Sequence, residues 1–197
     1  MAEFFKTTLQ VILAIFLVPA VIGVTHGFHH ELLKMGPLYD LFVCGIGTYL
    51  VLHVLIFVPV GVHQFGKSGM SGIFKFNEVT AAIMPYVLPF YLTLLVIGYW
   101  SAKLFLQVRG LEQYFMFFFG FLLTMQVSLS AHDLKEQNSE GIKSGYFFQL
   151  TMVYLWSIFF AALILHLTLK FSFPDFFREF IHVSWKIYTA VWEQLFG

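Results

Sequence analysis

Long apolar runs alternate with short polar connectors along this chain. Five runs lack Asp, Glu, Lys and Arg altogether: Thr7 to His30, Leu41 to Gly66, Val79 to Ala102, Gln113 to His132 and Ser144 to Leu169. A helix needs about 20 mostly apolar residues to cross the hydrocarbon core, where it must satisfy its own backbone. Each run reaches that length. The pattern predicts an all-α fold, a polytopic transmembrane helical bundle of about five spans occupying residues 1–173.

The spans are expected at about Thr8 to Thr25, Leu41 to Val62, Asn77 to Leu106, Glu112 to His132 and Tyr146 to Phe171. Pro59 and Gly61 would loosen the end of the second, and Pro85 and Pro89 would bend the third by removing backbone donors. The connectors between spans include one from His26 to Asp40, the Gly- and Ser-rich HQFGKSGMSGIFKFN, and the charged DLKEQNSEGIKSG. The first run could be mistaken for a secretory leader. Its start, MAEFFK, is only weakly basic, and the flank THGFHHELLK does not look like a mature N-terminus, so a retained helix is expected.

Residues 174–197 follow another rule. Phe176, Phe177, Phe180, Ile181, Ile187, Tyr188, Val191 and Leu195 repeat at helical spacing, while Asp175, Arg178, Glu179, His182, Lys186 and Glu193 share the opposite side. With Trp185 and Trp192 at the edges, this reads as an amphipathic helix in the membrane interface. A groove ligand for a partner subunit is the competing reading.

Composition sharpens the class. The chain is 59% hydrophobic and only 11% charged, against about 25% charged in soluble domains. Eleven basic and eleven acidic residues cancel, leaving no electrostatic footprint for nucleic acid. Lipid is therefore the first partner. Lys6, Lys67, Lys75, Lys135 and Lys143 fall on one side of a five-span trace, against Lys34, Lys103, Arg109, Lys170, Arg178 and Lys186 on the other, so charge does not orient the chain. Cys44 is the single cysteine. It excludes an intramolecular disulfide and reads as a small packing residue.

Candidate chemistry rests on the histidines. In a five-span trace His63 and His132 end on one membrane side with Asp133 beside them, a candidate metal cluster. His26, His29, His30, Glu31 and His166 fall on the other side and form an alternative one. Each has a bland counterpart, solvated side chains at the headgroup level. His53 lies deeper, but its depth differs from that of His166 by roughly 10 Å at about 1.5 Å per residue, too far for two ligands on one haem iron. Thr124, Ser128 and His132 on one face of the fourth span, and Gln126 and Ser130 on another, read as inter-helical hydrogen-bonding groups. The five spans hold no acidic or basic relay, which argues against a proton-driven pump.

The stretch FNEVTAAIMPYVLPFYLTLL, with Asn77, Pro85, Tyr86, Pro89 and Tyr91, resembles a segment of bacterial membrane proteins in the site-2-protease-like zinc metallopeptidase group. The later stretch FFFGFLLTMQVSLSAHDLKEQNSEGIKSGYFF looks like that group's following helix and acidic loop, so the likeness covers about Gly45 to Leu167. The resemblance implies a zinc site built on a His-Glu-x-x-His helix, with Glu as general base and a distant Asp as third ligand. Here the corresponding region reads VHQFGKSGM: His63 stands for the first His, but Gln64 replaces the Glu and Lys67 the second His. QNSEG occupies the place of the Asp. Gln64 cannot take a proton from water, and Lys67 brings positive charge to a cation site. The resemblance implies the scaffold, with zinc not favoured as cofactor.

The expected function is therefore non-catalytic: a structural or accessory subunit of a membrane complex, in contact with lipid and other membrane subunits, in a bacterial inner membrane. The alternatives are an intramembrane zinc metalloprotease with an atypical ligand set and a small carrier or cofactor-binding protein.

Overall fold

The computed structural model describes residues 2–56, 90–106, 109–137 and 144–197. They form six helices: α1 (Ala2–Leu33), α2 (Pro37–Ile56), α3 (Phe90–Phe105), α4 (Leu111–Gln137), α5 (Ser144–Thr168) and α6 (Phe173–Phe196). No strand occurs among the described residues. Among the described residues four apolar segments are long enough to span, Thr8–Leu33, Pro37–Leu55, Leu111–Lys135 and Tyr146–Thr168, and α3 is a shorter apolar helix. The chain is an all-α integral membrane protein.

Helix ends differ from the expected ones for local reasons. α1 runs to Leu33, so His26, His29, His30 and Glu31 are not a connector but its last turns. Their spacing already suited a helix, and polar side chains there cost nothing once the segment leaves the apolar layer. Gly36 stops the continuation with φ at +60°, open to glycine at no steric cost, and Pro37 starts α2 four residues earlier than expected. α4 extends to Gln137, so Asp133 and Lys135 are helical. The expected features at Pro59, Gly61, Asn77, Pro85 and Pro89 lie outside the described residues.

The chain forms two compact units, Met35–Ser130 and the combination of Met1–Lys34 with Ala131–Gly197. In the first, α2 and α4 touch backbone to backbone. A Cβ on Gly45 would collide with the Phe117 carbonyl and lie 2.9 Å from the Phe121 nitrogen; a Cβ on Gly120 would collide with the Phe42 carbonyl. One glycine on each helix thus permits the approach. Tyr49, Met125 and Leu129 form a core beside this contact, with Tyr91, Phe121 and Leu122 packed on it. Tyr99 of α3 meets Phe115 of α4 at 4.6 Å between ring centroids. Cys44, next to the contacting Gly45, is exposed and not the packing residue expected; neighbouring positions on a helix point about 100° apart.

In the second unit α1 lies against both α5 and α6. α1 and α5 run the same way: Val11, Ala14, Ile15 and Val18 share a cleft with Phe147 and Thr151, and Thr25 bonds Tyr154 further along at 2.8 Å. A tight turn after α5 then reverses the chain. Ser172 caps α6 by accepting from the Asp175 N–H, and Pro174 occupies the first turn, where no N–H is needed. The amphipathic C-terminal helix expected from the spacing is α6.

Candidate functional site

The most built polar feature is the seam where α6 runs antiparallel along α1. Gly23 and Gly27 open it. A Cβ on Gly23 would lie 2.7 Å from the Phe180 carbonyl and collide with the Ser184 hydroxyl; one on Gly27 would lie 2.9 Å from the Phe176 carbonyl. Phe176, Phe180, Ser184 and Tyr188, each four residues apart, form the face of α6 that meets this groove.

Pro19 sits in the same face of α1. Its ring supplies no N–H for the carbonyl four residues earlier and crowds that turn. Ser184 donates to the Pro19 carbonyl at 3.3 Å, and the Tyr188 hydroxyl donates to the Phe16 carbonyl. Phe16 and Tyr188 also stack at 5.0 Å. α6 thereby adds side-chain donors to two backbone carbonyls close to the proline, Pro19 and Phe16.

Charge gathers at one end of the seam. His26 Nδ1 lies 3.5 Å from the Glu179 carboxylate, linking α1 to α6. Glu31 is 3% exposed, yet it is held by Lys34 and lies 3.5 Å from His30 Nδ1. Hydrogen bonding to Glu31 raises the Lys34 amine above its ordinary value, helped by the Asp175 and Glu179 carboxylates against a desolvation cost. The Ser172 hydroxyl donates to Asp175 at 2.7 Å and lowers its carboxyl below the usual range, with Lys34 and Arg178 adding to the shift. This is a network of mutual pairing between helix ends.

His26 and His30 stack with centroids 6.4 Å apart, and His166 Nδ1 bonds the Phe171 carbonyl at 2.8 Å. Among the described residues no three His, Cys, Asp or Glu side chains are grouped so that they could hold an ion, so His26, His29, His30, Glu31 and His166 are not brought together as one ligand set. His132 and Asp133 lie in the last turns of α4, His132 exposed and Asp133 half-buried. Their proposed companion His63, with Gln64 and Lys67, lies outside the described residues.

Other polar groups serve packing. His53 Nδ1 meets the Tyr49 hydroxyl at 3.2 Å, one turn away on α2. Thr124 bonds back to the Gly120 carbonyl, and Gln126 reaches Ser130 within its own helix. Hydroxyls in helices take the carbonyl four residues back when no neighbour competes.

The α1–α6 seam was missed in the sequence reading, although a signal existed. Gly23 and Gly27 form a G-x-x-x-G pattern inside an apolar run, a recurrent device for close approach of membrane helices. No protein-family model matches the chain, and no curated protein or solved structure matches it.

Proposed function

We propose that this chain is a non-catalytic structural or accessory subunit of a membrane complex in a bacterial inner membrane, a degenerate relative of the site-2-protease-like zinc metallopeptidases. The observation that carries the subunit reading is the surface of α6. Its inner face is spent on α1, while Phe177, Ile181, Trp185 and Trp192 stay 43 to 69% exposed on a helix that also carries charge. Tryptophan-rich surface next to charge suits a protein neighbour. The family relationship rests on the Asn77 to Tyr91 pattern, and the loss of activity on Gln64 and Lys67.

The test is purification in mild detergent from the native membrane, with metal analysis. The expected result is co-purification with another membrane protein, substoichiometric zinc and no cleavage of membrane peptides. One zinc per chain, lost in His63→Ala or His132→Ala, would favour the metalloprotease with an atypical ligand set. A monodisperse, partner-free monomer would end the subunit reading.

A second reading, a small carrier, is favoured by one feature. An apolar cleft of about 440 Å³ between α3 and α4 is lined by Tyr91, Leu95, Gly98, Tyr99, Phe115 and Leu122, within the size range of small-molecule sites. Visible absorbance, or a stoichiometric small molecule extracted from the pure protein, would support it.

A further inference from the structure

The depth of α6 can be read against α1. Ser184 is level with Pro19 and Tyr188 with Phe16, through the bonds that join them. Lys186 lies between Ser184 and Tyr188 in sequence, so its backbone is level with the stretch from Phe16 to Pro19. α1 has 32 residues, from Ala2 to Leu33, and the hydrocarbon core takes about 20 of them. Wherever a stretch of about 20 residues is laid within α1, Ala14 to Val21 fall inside it. A membrane crossed by α1 therefore keeps the backbone of Lys186 within the hydrocarbon core.

Lys186 does not point into the seam. It is exposed, as are His182 and Glu193, and the three share one stripe of α6 at spacings of four and seven. None of the three has an ion-pair partner among the described residues. An ammonium facing hydrocarbon is costly, and intramembrane charges are nearly always turned towards protein or water and paired. Beside the stripe run Ile181, Trp185 and Trp192, 49 to 69% exposed. Tryptophan is enriched among the residues that anchor protein interfaces.

We propose that the outer face of α6 is the seat of a transmembrane helix from another subunit, one that carries a carboxylate at the depth of Lys186 and a basic group at the depth of Glu193. The proposal rests on the accessory-subunit reading and names its contact surface. Charge complementarity selects the partner. The two charges on α6 are seven residues apart, about 10 Å along the axis, so the partner repeats that spacing with opposite signs. A second copy of this chain in the same membrane orientation, related by a two-fold axis, would set Lys186 against its own counterpart and Glu193 likewise, which disfavours a homodimer on this face.

The experiment is done in native membranes, in a Cys44→Ser background. Lys186→Cys is challenged with a membrane-impermeant maleimide from each side, with Arg109→Cys as the loop control. A photo-crosslinking phenylalanine analogue replaces Trp185 in separate chains with Lys186, Lys186→Glu or Lys186→Met. The expected result is labelling of position 186 at least tenfold slower than of position 109. A single protein adduct from position 185 should have an Asp or Glu within an apolar segment. That adduct should fall at least tenfold in Lys186→Glu and return when the partner's acid is changed to Lys. Lys186→Met, which introduces no charge, checks that α6 still folds and should weaken the adduct less.

Fast labelling at 186, adducts to lipid alone, a partner without an intramembrane acid, or an adduct indifferent to Lys186→Glu would each overturn the proposal. If protein still co-purifies in any of those cases, the accessory-subunit reading survives the loss of this surface. If nothing co-purifies, that reading fails as well.

Discussion

Two seams hold helices together here, and they solve the same problem differently. Between α2 and α4 the glycines are reciprocal, Gly45 against Phe117 and Gly120 against Phe42, so every obstacle is backbone or ring. Between α1 and α6 both glycines lie on α1, and one neighbour, Ser184, is a small side chain that also donates a hydrogen bond. Lipid is as apolar as leucine, so burial by itself does not drive helices together there. The α2–α4 seam relies on shape. The α1–α6 seam adds direction through donors aimed at backbone carbonyls, and it carries a helix whose far side is charged.

The largest effect should come from filling the reciprocal seam. Gly45→Leu places a side chain against the backbone of α4, which cannot step aside, and overpacking of this kind costs roughly 3 kcal/mol or more. Thermal unfolding in detergent should show it, and no single change at Phe117 should restore stability, because the obstacle is that residue's carbonyl.

Gly23→Ala should cost less, roughly 1–3 kcal/mol, and should be partly rescued by Ser184→Gly, which removes one of the two obstacles. Equal failure to rescue at both seams would erase the distinction between them.

Ser172→Ala removes the cap of α6 and should cost about 1 kcal/mol, read as faster proteolysis or exchange at the start of α6 with the α2–α4 unit unaffected. The pH sign follows from Asp175. Its carboxyl lies below the ordinary value in the fold, so its contribution is complete above the unfolded carboxylate range, about pH 4. It is lost as the pH falls through the lowered value. Exchange at residues 173–176 should therefore rise on acidification below that range, and the wild-type rise should exceed that of Ser172→Ala.

Tyr188→Phe keeps the ring against Phe16 and deletes only the hydroxyl. About 0.6 kcal/mol is the expected loss for one inter-helical bond in a membrane protein, measured by unfolding in a double-mutant cycle with Ser184→Ala. Gly47→Ala marks the floor of the series. No neighbour lies within 4 Å of a Cβ there, so no loss of stability is expected.

Much of the helical pattern was legible along the chain because length and the absence of charge decide whether a segment can span. The amphipathic period of residues 174–197 was equally plain. The end of α1 was not, since counting charge-free residues measures the apolar layer and a helix continues past it until Gly36 and Pro37 interrupt. The histidines of its last turns therefore looked like a loop cluster, though the structure commits His26 to Glu179 on α6, a contact across more than a hundred residues.

What the sequence determined by itself is periodicity and polarity: which segments are helical, which can enter lipid, and that α6 has a charged side. Only the tertiary structure decided which face of α6 is covered. An apolar stripe at helical spacing says that a helix lies against some apolar surface without saying which. An interface between water and lipid fits it as well as a neighbouring helix does. The surface that takes part of it is α1, through Gly23 and Gly27, where the missing Cβ atoms admit the backbone of α6, and through the two hydroxyls that bond the turns around Pro19.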